Sequence, residues 1–174
     1  LAMAARLSPD QDPIRRFWSR MAIIFFLLAV DENIGLHERT INPVRDLFGV
    51  DGGPLYFAWI IPAAVLVVAF FAWSVRSLRR LPRSTAVLFV IAGAIYIGGA
   101  VGVEALAGAW LSAGEGELIR RPTVTFLVFT SAEELCEMLG ATTFLVALLR
   151  HLACSGRSLS ISVGDRTAND DAHS

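Results

Sequence analysis

Three glutamates, Glu133, Glu134 and Glu137, lie inside an otherwise apolar stretch that runs from residue 123 to residue 149. A charged side chain at the centre of a bilayer costs about 2.5–3.5 kcal/mol on insertion scales, so we expect these carboxylates to face protein, water or a cation. Successive residues of an α-helix are about 100° apart, so the three side chains fall within one arc of about 100°. The stretch therefore predicts a helix with one acidic face.

A second acidic group, which contains a histidine, follows the apolar run 21–30. Its members are Asp31, Glu32, His37 and Glu38. A further carboxylate, Glu104, lies in a third apolar stretch. Seven carboxylates and one imidazole cannot all be charged and unpaired in a low dielectric, so cations, protons or arginines must compensate them. Each kind of compensation is a hypothesis about function.

A divalent metal ion is the first of these hypotheses. Carboxylate-rich ligand sets with a single histidine suit hard or borderline ions such as Mg²⁺, Mn²⁺, Ca²⁺ or Fe²⁺. Carboxylate-bridged dimetal bundles combine glutamates from two helices with Glu-x-x-His from two others, and Glu134-x-x-Glu137 has that spacing without the histidine. The residues predicted as metal ligands are Asp31, Glu32, His37, Glu38, Glu104, Glu133, Glu134 and Glu137.

Protons and arginines give the other two hypotheses. If protons compensate the charges, the residues form a proton relay or part of a transport path, although four short spans leave little room for an alternating-access carrier. If arginines compensate them, an ion-pair network holds the bundle together and has no further function. The arginines placed for such a network are Arg39, Arg45, Arg120 and Arg121. The sequence leaves the three hypotheses open.

The composition of the chain is that of an integral membrane protein. Of its 174 residues, 55% are hydrophobic and only 18% are charged, which would expose too much apolar surface in a soluble domain of this size. The net charge of −1 gives no basic field for nucleic acid. All 15 basic residues are arginine, a usage typical of GC-rich bacterial genomes. Cys136 and Cys154 lie in and just beyond one span, so we expect no disulfide between them.

The hydropathy pattern predicts an all-α fold, a four-helix bundle of membrane spans over residues 21–151. The spans cover about residues 21–41, 55–75, 85–111 and 123–149. The first helix is expected to continue through Asp31 to Ile41, and the turn residues of 42–54 predict a loop. Residues 1–20 form a segment before the bundle, and residues 152–174 form a polar tail after it.

The distribution of arginines predicts the orientation of the bundle. Eleven arginines lie on the side of the two termini and four on the other side, so both termini are predicted to be cytoplasmic and the protein to lie in the bacterial inner membrane. With a rise of 1.5 Å per residue, the acidic groups of the first and last spans then lie level in the outer half of the bilayer. Glu104 lies near the outer interface.

Three small residues within the third predicted span, Ala94, Gly98 and Gly102, form a ridge along one side of the helix. Such ridges let transmembrane helices approach closely. Glu104 is rotated by about 200° from Gly102 on an α-helix, so one interpretation turns Glu104 toward the acidic residues and the ridge toward another subunit. In the alternative, the neighbouring spans of the same bundle cover both faces.

The acidic motifs resemble those of a family of uncharacterised bacterial four-span membrane proteins. The resemblance rests on Asp31-Glu32 and His37-Glu38 in the first span, Gly102-Val103-Glu104 in the third, and Glu133-Glu134-x-x-Glu137-Met138-Leu139-Gly140 in the last. It covers roughly residues 21–149. The resemblance implies a four-helix inner-membrane protein with these acidic residues as its candidate site, and it implies no activity.

Two functions of different classes follow. In the first, the protein binds a divalent metal or handles protons at its carboxylate and histidine cluster, with enzymatic activity undecided. In the second, it is an accessory subunit of a larger membrane complex, such as a photosynthetic or respiratory one, and the cluster only holds the bundle together.

Overall fold

The structure, a computed structural model, describes residues 13–115 and 124–154, and within these ranges it is helical with no β-strand. Three helical segments are long and apolar enough to cross a membrane. They span Ile60–Leu78, Arg83–Ala113 and Val124–Ala153. The all-α fold and the assignment to membrane proteins therefore agree with the sequence-based prediction.

The first predicted span differs, because two helices take its place. Helix α1 covers Pro13–Ile34 and helix α2 covers Leu36–Phe48, and Gly35 between them has a left-handed backbone with φ 60°. A left-handed residue cannot continue a right-handed helix, so the helix predicted to reach Ile41 ends seven residues earlier. The apolar run 21–30 of α1 measures about 15 Å, half of the roughly 30 Å of a hydrocarbon core.

Helix α2 occupies part of the segment that was predicted as a loop. It includes Pro43 and ends at Gly49, which has φ 62° and donates its backbone N–H to the carbonyl of Arg45. Proline removes a helical hydrogen bond, but no residue of α2 is buried, so water can reach the carbonyl that proline leaves unpaired. A short 3₁₀ turn at Gly53–Leu55 then leads into the next helix.

The remaining helices are α3 at Ile60–Leu78, α4 at Arg83–Ile97, α5 at Glu104–Trp110 and α6 at Val124–Cys154. Between α4 and α5 the helix takes the wider π form over Gly98–Val103, and a second π segment follows at Leu111–Glu115. A π turn holds more residues than an α turn. Glu104 therefore points in a different direction from the one calculated for an uninterrupted α-helix.

The apolar core lies at one end of the bundle, which we call the aromatic half. The start of α1, the end of α3, the start of α4 and the end of α6 meet there. The core residues are Phe17, Trp18, Met21, Leu78, Leu81, Phe89, Ala92, Phe144 and Leu148. The other end, which carries the eight predicted site residues, we call the acidic half.

Ring contacts show that α1 and α6 run antiparallel. The rings of Trp18 and His151 are 5.1 Å apart, and those of Phe25 and Phe144 are 4.4 Å apart and stacked. From the first contact to the second, α1 advances by seven residues and α6 recedes by seven, which is two helical turns on each helix. Seven residues beyond Phe25 on α1 is Glu32, and seven residues before Phe144 on α6 is Glu137.

Helices α4 and α6 approach so closely that backbone meets backbone. A Cβ atom added at Gly140 would lie 2.7 Å from the Cβ and 2.8 Å from the backbone nitrogen of Tyr96. A Cβ atom added at Gly99 would lie 2.6 Å from the Cβ of Cys136 and 3.0 Å from the carbonyl oxygen of Glu133. Gly140 of α6 and Gly99 of the π segment that continues α4 therefore permit the crossing that brings the acidic face of α6 against α4 and this segment.

Candidate functional site

The turn between α1 and α2 holds Asp31 and His37 together. One carboxylate oxygen of Asp31 accepts the backbone N–H of His37 at 2.9 Å, and the other lies 2.9 Å from the imidazole Nδ1. The left-handed Gly35 lets the chain turn back so that both bonds form. Because a carboxylate oxygen can only accept, Nδ1 donates in this bond, and the Nε2 atom of a neutral ring is then an acceptor.

Trp59, at the start of α3, connects His37 with Glu104. The rings of His37 and Trp59 are 4.8 Å apart, and the indole Nε1 of Trp59 donates a 2.7 Å hydrogen bond to Oε2 of Glu104. Glu104 begins α5 directly after the π turn. Asp31, His37, Trp59 and Glu104 therefore form one continuous line of contacts that connects α1, α2, the start of α3 and α5.

Glu133 brings α6 to this line. It is partly buried beside Gly99 and interacts electrostatically with Glu104, Glu137 and Glu32. Glu137, one turn further along α6, interacts with Glu32, His37 and Glu104. The acidic half thus gathers carboxylates from α1, α5 and α6 within electrostatic range of one another.

A groove of about 400 Å³ opens between α1 and α6 in the same half of the bundle. Its polar lining consists of Glu32 from α1, Glu134 and Glu137 from α6, and Tyr96 from α4. Its apolar lining consists of Phe25, Leu28, Ala29, Met138 and Ala141. Glu32 and Glu134 are exposed and Glu137 is partly buried, so the carboxylates face the open side and the interior of the groove.

The eight predicted site residues therefore divide into two neighbouring groups with one outlier. Asp31, His37, Glu104 and Glu133 belong to the line of contacts through Trp59, and Glu32, Glu134 and Glu137 line the groove. Glu38 is exposed, and its carboxylate folds back to within 3.3 Å of the Cβ position of Gly35.

Among residues 13–115 and 124–154, no three His, Cys, Asp or Glu side chains lie close enough together to hold a metal ion. The eight residues predicted as ligands are near one another in this structure without forming a coordination sphere. Metal binding stays a prediction.

Arginines do not compensate the carboxylates in the described ranges. Arg45 donates a short hydrogen bond to the carbonyl of Tyr56 and stacks over the ring of Tyr56 at 4.8 Å, and Arg39 is exposed. Neither forms an ion pair with a site carboxylate. Arg120 and Arg121, the other two arginines of the predicted network, lie outside the described residues.

The sequence-based prediction missed two aromatic residues of this region, Trp59 and Tyr96. Tyr96 is partly buried and interacts electrostatically with Glu137, Glu32 and Asp31. A tyrosine in the middle of an apolar span was the available signal, because its hydroxyl needs a polar neighbour there. Trp59 gave no such signal, since its partner Glu104 follows 45 residues later.

Residues 1–152 match the model of a protein family that is described as a domain of unknown function, DUF8692. The comparisons with curated proteins and with solved structures found no match to the chain.

Proposed function

The chain belongs to the DUF8692 family, a domain of unknown function, and from the geometry of its acidic half we propose that it binds and releases protons within the membrane. The carboxylates concerned are Glu104, Glu133 and Glu137, and the hydrogen-bonded pair of Asp31 and His37 connects to them through Trp59. In this proposal these five of the eight predicted residues act as a proton site rather than as metal ligands.

One observation carries the proposal. Carboxylates from three helices lie within electrostatic range of one another in the acidic half, and within the described residues no arginine pairs with them and no three potential ligands converge on one point. A carboxylate in a low dielectric without a cationic partner is stabilised by taking up a proton. Compensation by protons therefore fits the described residues best.

The path by which a proton would enter follows from the same contacts. His37 can accept a proton on one ring nitrogen while the other binds Asp31, which is the arrangement that lets an imidazole pass a proton onward. The indole of Trp59 has one N–H donor and no acceptor, so it holds the Glu104 carboxylate in place and does not carry the proton. His37 interacts electrostatically with Glu104 and Glu137, and Glu104 interacts with Glu133. We infer that protons pass between His37 and these three carboxylates.

For the orientation, we propose four spans with both termini in the cytoplasm and the acidic half outward, in a bacterial inner membrane. Helix α1 serves as the fourth span although its apolar run is short. The aromatic half brings together the helix ends that carry Arg20, Arg76, Arg83 and Arg150, which supports a cytoplasmic position for that half under the positive-inside rule.

Infrared spectroscopy of the full chain in lipid tests the proton site. Raising the pH should remove a protonated-carboxyl stretching band and increase the carboxylate bands, and Glu133→Gln should lower the amplitude of that change. Asp46→Asn, an exposed residue of α2, is the matched control and should leave the amplitude unchanged. A Glu133→Gln spectrum identical to that of the unmodified protein would contradict the proposal.

A second candidate is the accessory subunit of a larger membrane complex, and one observation favours it. Ala94, Gly98 and Gly102 are exposed, and Cβ atoms added at the two glycines would meet no atom within 4 Å among the described residues. The close crossing within the bundle uses Gly99 instead. A ridge of small residues that its own bundle leaves uncovered fits the side of another transmembrane helix.

A further inference from the structure

The groove between α1 and α6 changes in polarity along its length. On α1 the lining runs from Phe25 through Leu28 and Ala29 to Glu32, and on α6 it runs back from Ala141 and Met138 to Glu137 and Glu134. Because the two helices are antiparallel, the carboxylates of both come to the same end and the apolar residues to the other. The groove therefore has one anionic end and one apolar end.

The stack of Phe25 on Phe144 limits the apolar end. The two rings are 4.4 Å apart, so side chains of α1 and α6 are in contact at this level, seven residues before Glu32 on α1 and seven residues after Glu137 on α6. Tyr96 of α4 lines the groove between them. The cavity of about 400 Å³ lies within the range of small-molecule sites, about 300–1,000 Å³.

Charge decides which molecule fits the groove. Three carboxylates line it, and no arginine of the described ranges reaches them. An anion would be repelled, and a neutral apolar molecule would leave Glu32 and Glu134, which the proposed proton site does not use, without a counter-charge. A small inorganic cation would leave the apolar end empty. A molecule with one positive group and an apolar body satisfies both ends.

We propose that this groove binds a lipophilic organic cation, which places its charged group near Glu32, Glu134 and Glu137 and its apolar body against Phe25, Leu28, Ala29, Met138 and Ala141. Such a molecule reaches the groove through the bilayer, because α1 and α6 both belong to the outer surface of the bundle, where Phe26 and Leu145 are exposed. This ligand goes beyond the proposed proton site, and its binding can fail while proton binding stands.

Equilibrium binding with a pair of isosteric ions tests the charge preference. Radiolabelled tetraphenylphosphonium and tetraphenylborate have the same shape and opposite charge, and each is dialysed against the full chain in nanodiscs of zwitterionic lipid, with empty nanodiscs as the blank. We expect saturable binding of the cation and none of the anion beyond the blank. Absence of saturable cation binding, or equal binding of both ions, would overturn the proposal.

Variants locate the bound cation. Glu134→Gln should raise its Kd about tenfold or more, which corresponds to about 1.4 kcal/mol, whereas Asp46→Asn should leave it unchanged. Ala141→Leu should weaken binding by filling the apolar end, and Ala69→Leu, on an exposed face of α3, is its control for bulk. Cation binding that all four variants leave unchanged would place the site elsewhere and overturn the assignment.

The infrared measurement on the same nanodiscs separates this inference from the proposed function. Saturable cation binding without a protonated-carboxyl band would support the groove and contradict the proton site. A protonated-carboxyl band without saturable cation binding would support the proton site and contradict the groove.

Discussion

Trp59 and Glu104, 45 residues apart in the chain, are joined by a 2.7 Å hydrogen bond from the indole nitrogen to the carboxylate. The bond fixes the start of α3 to the first residue of α5. It also turns the carboxylate of Glu104 toward His37, whose ring lies against the same indole. The position of Glu104 thus depends on a residue that belongs to neither of the acidic groups seen in the sequence.

Trp59→Phe should lower the free energy of unfolding by about 1–3 kcal/mol, because it leaves the Glu104 carboxylate without its donor while keeping an aromatic ring beside His37. Thermal unfolding in detergent or nanodiscs measures the loss. Trp110→Phe is the matched control, since Trp110 packs against Phe129 and makes no hydrogen bond to a carboxylate of residues 13–115 or 124–154. Equal losses in the two variants would show that ring size, and not the hydrogen bond, sets the stability.

Gly140→Ala should destabilise the bundle by about 1–3 kcal/mol, because the new methyl group would overlap backbone atoms of Tyr96 that cannot move without shifting α4. Gly98→Ala offers the opposite case, since its Cβ meets nothing within 4 Å, and we expect an unchanged or slightly higher stability. The midpoint of thermal unfolding of each variant, compared with that of the unmodified protein, shows whether the substitution stabilises or destabilises the bundle. A stabilising Gly140→Ala would contradict the close crossing of α4 and α6.

Gly35→Ala should loosen the start of α2, because a left-handed backbone costs a residue with a side chain about 1–2 kcal/mol. The expected result is faster hydrogen exchange of the backbone amides of Leu36–Phe48. These include the amide of His37, which donates a hydrogen bond to the Asp31 carboxylate. Gly93→Ala, in α4 and with free space at its Cβ, serves as the control. Unchanged exchange in α2 would mean that the turn does not depend on glycine.

Gly98→Leu combined with Gly102→Leu tests the exposed ridge. If the ridge packs on another subunit, the bulky side chains should separate the complex while the monomer keeps its fold, because a Cβ atom added at either glycine meets no atom within 4 Å in the described part of the chain. Mass measurement of the detergent-solubilised protein, together with its unfolding midpoint, distinguishes the outcomes. Loss of the fold without a separable monomer would place the ridge inside the bundle.

Labelling of single cysteines tests the orientation. In a chain without Cys136 and Cys154, Ser8→Cys should be protected from a membrane-impermeant reagent added outside, and Asp51→Cys, in the exposed segment between α2 and α3, should react. Permeabilised cells should label both sites. The reverse pattern in intact cells would invert the orientation, and labelling of both sites would leave the two termini of α1 on one side of the membrane.

Much of the fold could be predicted from the sequence, because apolar segments of 19 to 31 residues leave few alternatives to membrane-crossing helices. The acidic residues could be selected for the same reason, since a carboxylate in an apolar segment is costly unless it is compensated. Both predictions need only local composition. The close approach of these residues to one another depends on how the helices pack.

The features that the sequence did not predict all depend on contacts between distant residues or on backbone geometry. The break at Gly35 is stabilised by the bonds between Asp31 and His37, which a helical periodicity does not reveal. The π turn at Gly98–Val103 changes the direction of Glu104 without any proline to mark it. Gly99, which permits the close crossing, differs from Gly98 by one position only, and spacing alone selected its neighbour.

The stack of Phe25 on Phe144 also has a mechanical consequence. The aromatic core holds α1 and α6 together up to this level, and beyond it Glu32 and Glu137 lie about 10 Å further along their helices. The stacked rings mark the level at which a change in the angle between the two helices would begin. A change of about 10° at this level moves the carboxylates of Glu32 and Glu137 apart by roughly 2 Å over that length, while the core of the aromatic half keeps its packing. The width of the groove therefore depends on the angle between α1 and α6 at this stack.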